Sequence, residues 1–328
     1  MEKKTRTVGT ARALDCLLTL FLLLSALCTV YLCFRTYDET GSLRQEIEEA
    51  EQESIVLNET IAEQERTIET LSEELAGIRN ISEAIQNTKE TYFSLLSDLE
   101  KSVMNGETDV KIAYLTFDDG PYLLSGSFLD VLDDYDVPAT FFYLMKSSET
   151  GYSDTDAVYD VIYRRILSSG HTLGNHTASH KLGPEGVYRS CEAFMNDILR
   201  NRNFIYERYG YLTDVMRFPG GSYTSSLTDQ LIDLLREEGY GYVDWDVSCG
   251  DGGAVLLPDQ FRDNILYSTH DQKIIVVLMH DYSRNTLSAL PEIIEGLSEQ
   301  GYSFFPLFNG SVKCRKEPKY QSFSCELY

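Results

Sequence analysis

The sequence predicts an α/β protein, a distorted (β/α)7 barrel preceded by a transmembrane helix and a coiled-coil stalk. Three patterns in the 328-residue chain lead to this prediction. A basic segment is followed by a long apolar run, a heptad repeat without proline comes next, and strand-like and helix-like segments then alternate. The corresponding segments are 1–13, 14–34, 38–104, the barrel domain at 109–310 and a C-terminal tail at 311–328.

Composition limits the partners of the chain. The formal net charge is -24 at pH 7, and 43% of the residues are hydrophobic. So acidic a chain repels polyanions, and we expect no nucleic acid partner. The apolar content is sufficient for one substantial core. Cys314 and Cys325 flank a short stretch of the tail, and a disulfide between them stays an open alternative.

Residues 14–34 predict a transmembrane helix. The stretch is apolar apart from Asp15 and small polar residues, and four basic residues precede or border it. At the helical rise per residue it spans about 30 Å, the thickness of a bilayer's hydrocarbon core. Basic flanks stay in the cytoplasm, so we expect a single-pass protein of the cell membrane with residues 1–13 inside and the remainder outside. A cleaved signal peptide is the alternative, but no small-x-small site closes the apolar run.

The heptad repeat over 38–104 predicts a helical coiled coil. Apolar residues recur at alternating spacings of three and four, and glutamates crowd the other positions. The positions of this seam are Leu43, Ile47, Ala50, Leu57, Ile61, Ile68, Leu71, Leu75, Ile78, Ile85, Tyr92, Leu96, Leu99 and Val103. Their distribution favours a parallel homodimer and leaves a trimer open. Such a stalk would hold the following domain very roughly 90 Å from the membrane.

Seven predicted strands alternate with helices in the barrel domain. The strands are 112–117, 139–145, 171–176, 215–218, 242–247, 274–280 and 303–307, and the helices are 128–135, 156–168, 187–209, 227–238, 259–269 and 287–299. The first strand is not followed by a glycine-rich phosphate loop, which favours a barrel over a dinucleotide-binding sheet. We therefore expect functional residues at the C-terminal ends of the strands.

Polar side chains collect at five of these strand ends. They are Asp118, Asp119, His176, His180, Arg217, Asp251 and His280. His176 and His180 present both imidazoles to one ion if their loop makes a helical turn, and one carboxylate completes a metal site with open positions. The other groups form two pairs, a carboxylate with a guanidinium and an imidazole with a carboxylate. A hydrolase needs such pairs for its base and its acid.

These residues resemble the ordered motifs of the polysaccharide deacetylases, carbohydrate esterase family 4 with the NodB-homology domain, in membrane-anchored bacterial form. The motifs are Thr-Phe-Asp-Asp-Gly-Pro at 116–121, His-Thr-Ala-Ser-His at 176–180, Arg-Phe-Pro-Gly-Gly at 217–221, Asp251, and Leu-Met-His at 278–280. The resemblance covers about residues 110–308. It implies a hydrolase of linear amides that removes N-acetyl groups from an extracellular glycan and releases acetate.

The resemblance also implies a role for each site residue. Asp119, His176 and His180 would bind a divalent metal ion, with zinc the first candidate and cobalt or manganese the alternatives. Asp118 would be the general base, kept ionised by Arg217, and Asp251 would orient His280, the general acid. A backbone N–H near Gly220 would bind the oxyanion, and Tyr223 would offer a stacking surface to the substrate. Two residues depart from the family pattern, because Gly220 replaces an aromatic residue and Gly252 replaces a tryptophan.

Peptidoglycan N-acetylglucosamine is the expected substrate, because a stalk of this kind would position the domain in a cell wall. Exopolysaccharide and chitin-like oligomers are alternatives. A catalytically silent glycan-binding module would keep the fold, although every expected catalytic position is filled in this chain. A non-haem iron oxygenase shares the set of two histidines and one carboxylate. Such enzymes usually carry a closely spaced His-x-Asp/Glu pair, which this sequence lacks.

Overall fold

The computed structural model describes residues 41–146, 154–253 and 256–317, together with Thr19, Leu22, Leu23, Ser25 and Ala26. The chain divides into two compact units, Met1–Asn87 and Thr88–Tyr328. The predicted segments 1–13 and 14–34 lie outside the described residues, apart from those five, which are helical. Cys325 and residues 318–328 also lie outside them. Among the described residues, no helix is both long enough and apolar enough to cross a bilayer.

Helices and strands alternate after one long N-terminal helix. The helices are α1 (Gly41–Met104), α2 (Ser125–Asp134), α3 (Asp154–Ser168), α4 (Cys191–Tyr209), α5 (Thr228–Glu237), α6 (Pro258–Leu266) and α7 (Arg284–Glu299). The strands are β1 (Lys111–Asp118), β2 (Thr140–Tyr143), β3 (Thr172–Asn175), β4 (Val215–Met216), β5 (Gly241–Tyr242), β6 (Val247–Ser248), β7 (Ile274–His280) and β8 (Tyr302–Phe304). The order is the predicted one except at β5 and β6, two strands without a helix between them where one strand was predicted.

The strands form one curled parallel sheet. Its order is β5-β4-β3-β2-β1-β7-β6, and β8 pairs with the first residues of β1. The result is a curled half-barrel of parallel strands covered by helices, which is consistent with the predicted distorted (β/α)7 barrel. Because all the strands run the same way, their C-terminal ends lie along one edge, where the site residues are found.

The fifth predicted strand, 242–247, is wrong as a single strand. Its residues belong to two short strands, β5 paired with β4 at one edge of the sheet and β6 paired with β7 at the other. The intervening carbonyl groups accept hydrogen bonds from the buried side chain of Arg217. Its Nε donates to Val243 O at 3.0 Å and its Nη2 to Asp244 O at 3.3 Å. Acceptors that a regular strand would offer to a neighbouring strand are therefore satisfied by a side chain.

Alternate residues of β1 face opposite sides of the sheet and divide the core into two layers. Ala113, Leu115 and Phe117 pack with apolar residues of the covering helices. Ile112 and Tyr114 pack on the inner side, in a cluster drawn mainly from the strands. The inner side also holds Arg217, so the barrel interior is apolar near the strand starts and charged near the strand ends.

Helix α1 is continuous for 64 residues, and part of its heptad seam is exposed. The helix contains no proline and consists largely of good helix formers. In the first unit Ile68, Leu71 and Leu75 have exposed fractions of 50%, 57% and 61%. The helical conformation agrees with the heptad pattern, whereas pairing with a second helix stays a prediction.

The last turns of α1 belong to the second unit, which begins at Thr88 and so earlier than the predicted limit of the stalk. Leu96 and Val103 are buried, and Leu99 packs against the inner cluster of the barrel. The last seam positions therefore contact their own domain, and a partner helix would contact only the earlier heptads.

Glu100 fixes the end of α1 to the domain. It is fully buried, and its carboxylate accepts hydrogen bonds from Tyr114 Oη at 2.7 Å, Ser311 Oγ at 2.6 Å and Val312 N at 3.0 Å. Ser311 and Val312, which the sequence assigns to a separate tail, are thus hydrogen-bonded to α1. Burial raises the pKa of Glu100, and the three hydrogen bonds only partly oppose that effect.

Candidate active site

The structure gathers all seven polar side chains predicted at strand ends. Asp118 and Asp119 end β1, and Asp118 is opposite His280 in the register of β1 with β7. The other members follow β3, β4 and β6, and they are His176, His180, Arg217 and Asp251. Strands distant in sequence therefore supply one compact site at the C-terminal edge of the sheet.

Asp119, His176 and His180 direct one ligand atom each toward a common point. Nε2 of His176 is 3.4 Å and Nε2 of His180 is 3.3 Å from Asp119 Oδ1. The three ligand atoms lie within 4.8 Å of one another. Asp119 Oδ1 is buried, and no hydrogen-bond donor within the described part of the chain reaches it.

A backbone hydrogen bond determines which nitrogen of His176 faces Asp119. Nδ1 of His176 is 2.8 Å from the carbonyl oxygen of Arg217. A carbonyl oxygen only accepts, so Nδ1 carries a proton and Nε2 is the nitrogen left to face the Asp119 carboxylate. A metal ion between Nε2 and the carboxylate would be bound by both. Two imidazole nitrogens and one carboxylate oxygen form a donor set suited to a divalent transition-metal ion, so the residues fit the predicted metal.

The loop that carries both histidines is not the helical turn anticipated from their spacing. Thr177 and His180 have positive φ values of 67° and 50°. Asn175 Oδ1 accepts hydrogen bonds from the backbone N–H of Thr177 at 2.9 Å and from Asn201 Nδ2 at 3.0 Å. Asn201, on α4, also donates to the carbonyl of Thr177 at 3.0 Å. Contacts with α4 therefore hold the loop in a conformation that helical spacing alone would not give.

Asp118 is paired with a fully buried arginine. Nη1 of Arg217 lies 2.8 Å from Asp118 Oδ1 and donates to Thr116 Oγ1 at 2.7 Å. The guanidinium carbon is 4.3 Å from the centroid of the Phe142 ring. Thr116 in turn donates to the carbonyl of Val277 at 2.7 Å, which directs an oxygen lone pair toward the arginine. The cation is thus satisfied by several acceptors, and its charge complements that of Asp118.

Asp251 and His280 form the second pair. Asp251 Oδ1 is 2.7 Å from Nδ1 of His280, and Oδ2 accepts from the backbone N–H of the same histidine at 2.8 Å. Burial lowers the pKa of His280, but the hydrogen bond to Asp251 and the charges of Asp118, Asp251 and Asp119 outweigh it, so the pKa is raised. Nε2 of His280 faces the site, 3.8 Å from Asp119 Oδ2.

Thr286 and Tyr282 support this pair, and sequence reasoning missed both. Thr286 is buried in the first turns of α7 and donates from Oγ1 to Asp251 Oδ2 at 2.9 Å. Tyr282 Oη donates to the carbonyl of Asp251 at 2.8 Å. Their proximity to the His280 motif was the only hint that the sequence offered.

Gly220 and Tyr223 lie in the turn after β4. Gly220 has a φ of 75°, and its N–H has no backbone or side-chain acceptor among the described residues. Tyr223 is 72% exposed and meets Trp245 edge-on, with ring centroids 6.1 Å apart. In the part of the chain that is described, no hydrogen bond or ring contact joins either residue to Asp118 or His280. Their substrate-binding roles therefore stay predictions.

Gly252 lies against the imidazole of His280. A Cβ atom at this position would be 3.1 Å from His280 Cε1. A larger residue at this position would therefore crowd the imidazole ring. The ring of Tyr282 is 5.4 Å from that of His280 and meets the ring of Tyr122, with centroids also 5.4 Å apart.

Sequence comparison identifies relatives over this domain. The sequence profile of the polysaccharide deacetylase family matches residues 105–243. YheN of Bacillus subtilis, whose name puts it among the polysaccharide deacetylases, is 31% identical over 232 residues, which cover 69% of this chain and 77% of that protein. A peptidoglycan-N-acetylglucosamine deacetylase of Bacillus cereus is 31% identical over 209 residues, which cover 62% of this chain and 71% of that protein.

Solved structures share the fold. The catalytic domain of a peptidoglycan N-acetylglucosamine deacetylase from Eubacterium rectale superposes with a TM-score of 0.55 at 33% identity, over 62% of this chain and 91% of that one. A polysaccharide deacetylase from Bacillus cereus superposes with a TM-score of 0.53 at 28% identity, over 61% of this chain and 94% of that one. Both comparisons agree with the parallel half-barrel described above.

Proposed function

This chain belongs to the polysaccharide deacetylase family, and we propose that it removes N-acetyl groups from peptidoglycan N-acetylglucosamine in a reaction that requires a divalent metal ion. As a member of that family it is a hydrolase of carbon–nitrogen bonds in linear amides. One observation carries the proposal. The ligand atoms of Asp119, His176 and His180 converge beside Asp118, whose Oδ2 is 3.7 Å from His176 Nε2, and beside His280.

Asp119, His176 and His180 would hold the ion. Zinc is the first candidate, and cobalt and manganese are the alternatives. When bound, such an ion polarises a carbonyl group and makes a water molecule a stronger nucleophile at neutral pH. The buried Asp119 Oδ1 without a donor, turned toward two imidazole nitrogens, supports this assignment.

Asp118 would act as the general base. Arg217 occupies its Oδ1, which leaves Oδ2 directed to the space where a water molecule would approach the acetyl carbonyl. Asp118 would take a proton from that water as its oxygen bonds to the carbonyl carbon. The N–H of Gly220 is a candidate donor to the resulting oxyanion, since no described residue accepts from it.

His280 would act as the general acid. When the tetrahedral adduct collapses, the carbon–nitrogen bond breaks and the amine nitrogen takes a proton from Nε2 of His280. Asp251 holds the proton on Nδ1 and stabilises the imidazolium. The products are a glycan amine and acetic acid, which loses its proton to become acetate. The proton taken up by Asp118 passes to solvent and His280 regains one from solvent, so both groups return to their starting states.

Named relatives support the choice of substrate. Proteins of Bacillus cereus and Listeria monocytogenes that resemble this chain are named peptidoglycan-N-acetylglucosamine deacetylases. Exopolysaccharide and chitin-like oligomers stay as alternative substrates, since the same N-acetyl group occurs in both.

We also propose that the protein is a single-pass cell-membrane protein anchored by residues 14–34, with a cytoplasmic N-terminus and an extracellular catalytic domain. The basic residues before the apolar run support this orientation. We further propose that α1 pairs with a second copy of the chain. The exposed seam residues Ile68, Leu71 and Leu75 support the pairing, because apolar side chains at heptad spacing gain most when a partner helix covers them.

Acetate release tests the activity directly. Purified protein should release acetate from peptidoglycan and from N-acetylglucosamine oligomers, and the Asp118→Asn variant should release none. Asp259→Asn, a matched change at an exposed aspartate on α6, should keep full activity. Binding of the oligomers without release by the wild type would instead identify a silent glycan-binding module. Oxygen consumption with Fe(II) would favour the oxygenase alternative.

A further inference from the structure

Lys146 lies beside the active site without an acidic partner. It follows β2, the neighbour of β1, and Asp119 comes directly after β1. Its Nζ lies over the ring of Tyr122, 3.4 Å from the ring centroid. Within residues 41–146, 154–253 and 256–317, no carboxylate forms an ion pair with it and no acceptor takes a hydrogen bond from it. The chain has 52 acidic and 28 basic residues, so a lysine without an acidic partner is unexpected.

Two carboxylates, Asp281 and Asp119, act on the charge of Lys146, but neither forms an ion pair with it among the described residues. Asp119 faces the histidines of the proposed metal site. Asp281 is fully buried, and its Oδ2 accepts hydrogen bonds from Ser125 Oγ at 2.5 Å and from Tyr143 Oη. Burial lowers the pKa of Lys146 to about 8, while the charges of Asp281 and Asp119 partly oppose this effect. The side chain is therefore a cation at neutral pH that lacks a direct counterion.

A row of aromatic contacts joins Lys146 to the reacting groups. Tyr122, under the ammonium, meets Tyr282 edge-on with ring centroids 5.4 Å apart. The ring of Tyr282 is in turn 5.4 Å from that of His280. Tyr282 is 40% exposed and Tyr122 is partly exposed, so both rings are accessible from solvent. Lys146 thus lies two rings away from the proposed general acid, on a solvent-accessible flank of the site.

We propose that Lys146, with Tyr122 and Tyr282, forms a subsite for a carboxylate on the sugar next to the N-acetylated sugar that is hydrolysed. This inference rests on the proposed deacetylase function and narrows its substrate class to acidic glycans. A partly desolvated ammonium without an anionic partner binds a carboxylate more strongly than a fully hydrated one does. Peptidoglycan carries such a group as the lactyl carboxylate of alternate sugars wherever no stem peptide is attached to it, and a uronic acid would present the same chemistry. A neutral chitin-like oligomer would leave Lys146 without an anionic partner.

Matched oligosaccharides distinguish recognition of the carboxylate charge from recognition of the sugar shape. The first substrate is a peptide-free tetrasaccharide that alternates N-acetylglucosamine with N-acetylmuramic acid, and the second is the same tetrasaccharide after reduction of its carboxyl groups to alcohols. A third, which alternates N-acetylglucosamine with glucuronic acid, distinguishes a uronic acid from a lactyl group. The full chain is assayed as wild type and as Lys146→Met, Lys146→Arg and Lys146→Glu.

Lys111→Met is the matched control, because Lys111 also lies over a tyrosine ring, that of Tyr302 at 5.2 Å, but at the opposite end of β1. We expect Lys146→Met to lower kcat/KM about tenfold on the carboxylate substrates and less than about twofold on the reduced one. Lys146→Arg should keep the preference for the carboxylate, and Lys146→Glu should reverse it. Lys111→Met should change neither value.

Calorimetric titration of the same oligosaccharides provides a second readout. The subsite is supported if Lys146→Met loses affinity for the carboxylate substrates but not for the reduced one. If the wild type prefers only the lactyl or only the uronic substrate, the subsite is also supported and its carboxylate is identified. Equal losses on charged and reduced substrates, or a wild type without preference, would overturn the subsite. If the wild type releases acetate from no substrate, the proposed function fails separately, and the binding data still decide this inference.

Discussion

The carbonyl oxygen of Arg217 accepts a hydrogen bond from Nδ1 of His176 at 2.8 Å, while the guanidinium of the same arginine contacts Asp118 at 2.8 Å. One residue thus orients a proposed metal ligand through its main chain and the proposed base through its side chain. Contacts of this kind fix the tautomer of a ligand histidine and hold its ring in place. The two functions of Arg217 are therefore separable by substitution of the side chain.

Arg217→Lys should lose activity and keep metal binding. A single ammonium does not replace the guanidinium donors to Thr116, Val243 and Asp244, so buried acceptors are left unpaired. We expect kcat to fall by about 100-fold or more, and the free energy of unfolding to fall by about 3–5 kcal/mol. Acetate release and urea unfolding measure these changes. Arg262→Lys, at a partly exposed arginine that pairs with Asp263 and Glu292, is the control. An Arg217→Lys enzyme within threefold of wild type would refute the prediction.

Asp251→Asn should move the alkaline limb of the pH–rate profile to lower pH. The general acid must be protonated, so activity falls as the pH rises through the pKa of His280, which Asp251 helps to raise. Removal of the negative charge lowers that pKa, so activity falls at a lower pH. Thr286→Val keeps the charge but loses one hydrogen bond to Asp251, so its limb should move less. The measurement is kcat/KM against pH, and an unmoved limb in Asp251→Asn would exclude His280 as the titrating acid.

His171 should make the domain acid-sensitive. Its Nδ1 accepts from the N–H of Ala139 at 3.0 Å, and burial, only partly offset by Asp133, lowers its pKa to about 4. In the unfolded chain the imidazole has a pKa of about 6.5, so the unfolded chain takes up the proton first as the pH falls. The stability that the neutral, buried ring provides is therefore present at neutral pH and is lost as the pH falls from about 6.5 to about 4, by up to about 3 kcal/mol. Urea unfolding of wild type and His171→Gln at several pH values measures the difference. Identical pH dependence in both proteins would argue against a neutral buried His171.

The exposed seam of α1 predicts association of the full chain in detergent. We expect sedimentation as a dimer, with a trimer as the alternative, because burial of Ile68, Leu71 and Leu75 stabilises paired helices. The double variant Leu71→Asp and Leu75→Asp should sediment as a monomer. Glu73→Asp, at an outer heptad position, should behave as the wild type. A monomeric wild type at working concentration would rule out the stalk as an oligomer.

Strand ends were predictable because their apolar runs stop abruptly at charged residues. The predicted limits of β7, 274–280, match the structure, and the side chains of Asp118, His176, Arg217, Asp251 and His280 meet as parallel strand ends require. Their catalytic roles stay predictions. The bent segment between β5 and β6 was not predictable, because its carbonyl groups accept hydrogen bonds from the side chain of Arg217, more than twenty residues away in the chain.

Residues that support the site from helices escaped prediction for a common reason. Asn201 on α4 and Thr286 on α7 support the site, and Glu100 on α1 fixes that helix to the domain. Each stands beside other polar residues in helical sequence, a pattern that normally indicates a solvated face. Their partners lie on loops and strands, and Glu100 contacts Ser311 across 211 positions. Only the tertiary structure distinguishes them from surface residues.

Metal content tests the central claim most directly. The purified full chain is stripped with chelator, dialysed against zinc, cobalt or manganese, and freed of excess ion. Its metal content is then measured by plasma mass spectrometry for the wild type and for His176→Ala. His270→Ala, which changes an exposed histidine, is the control. We predict one divalent ion per chain in the wild type and in His270→Ala, almost none in His176→Ala, and recovery of acetate release in step with ion content. A wild type that retains no ion, or a His176→Ala variant that retains a full equivalent, would contradict the proposed site.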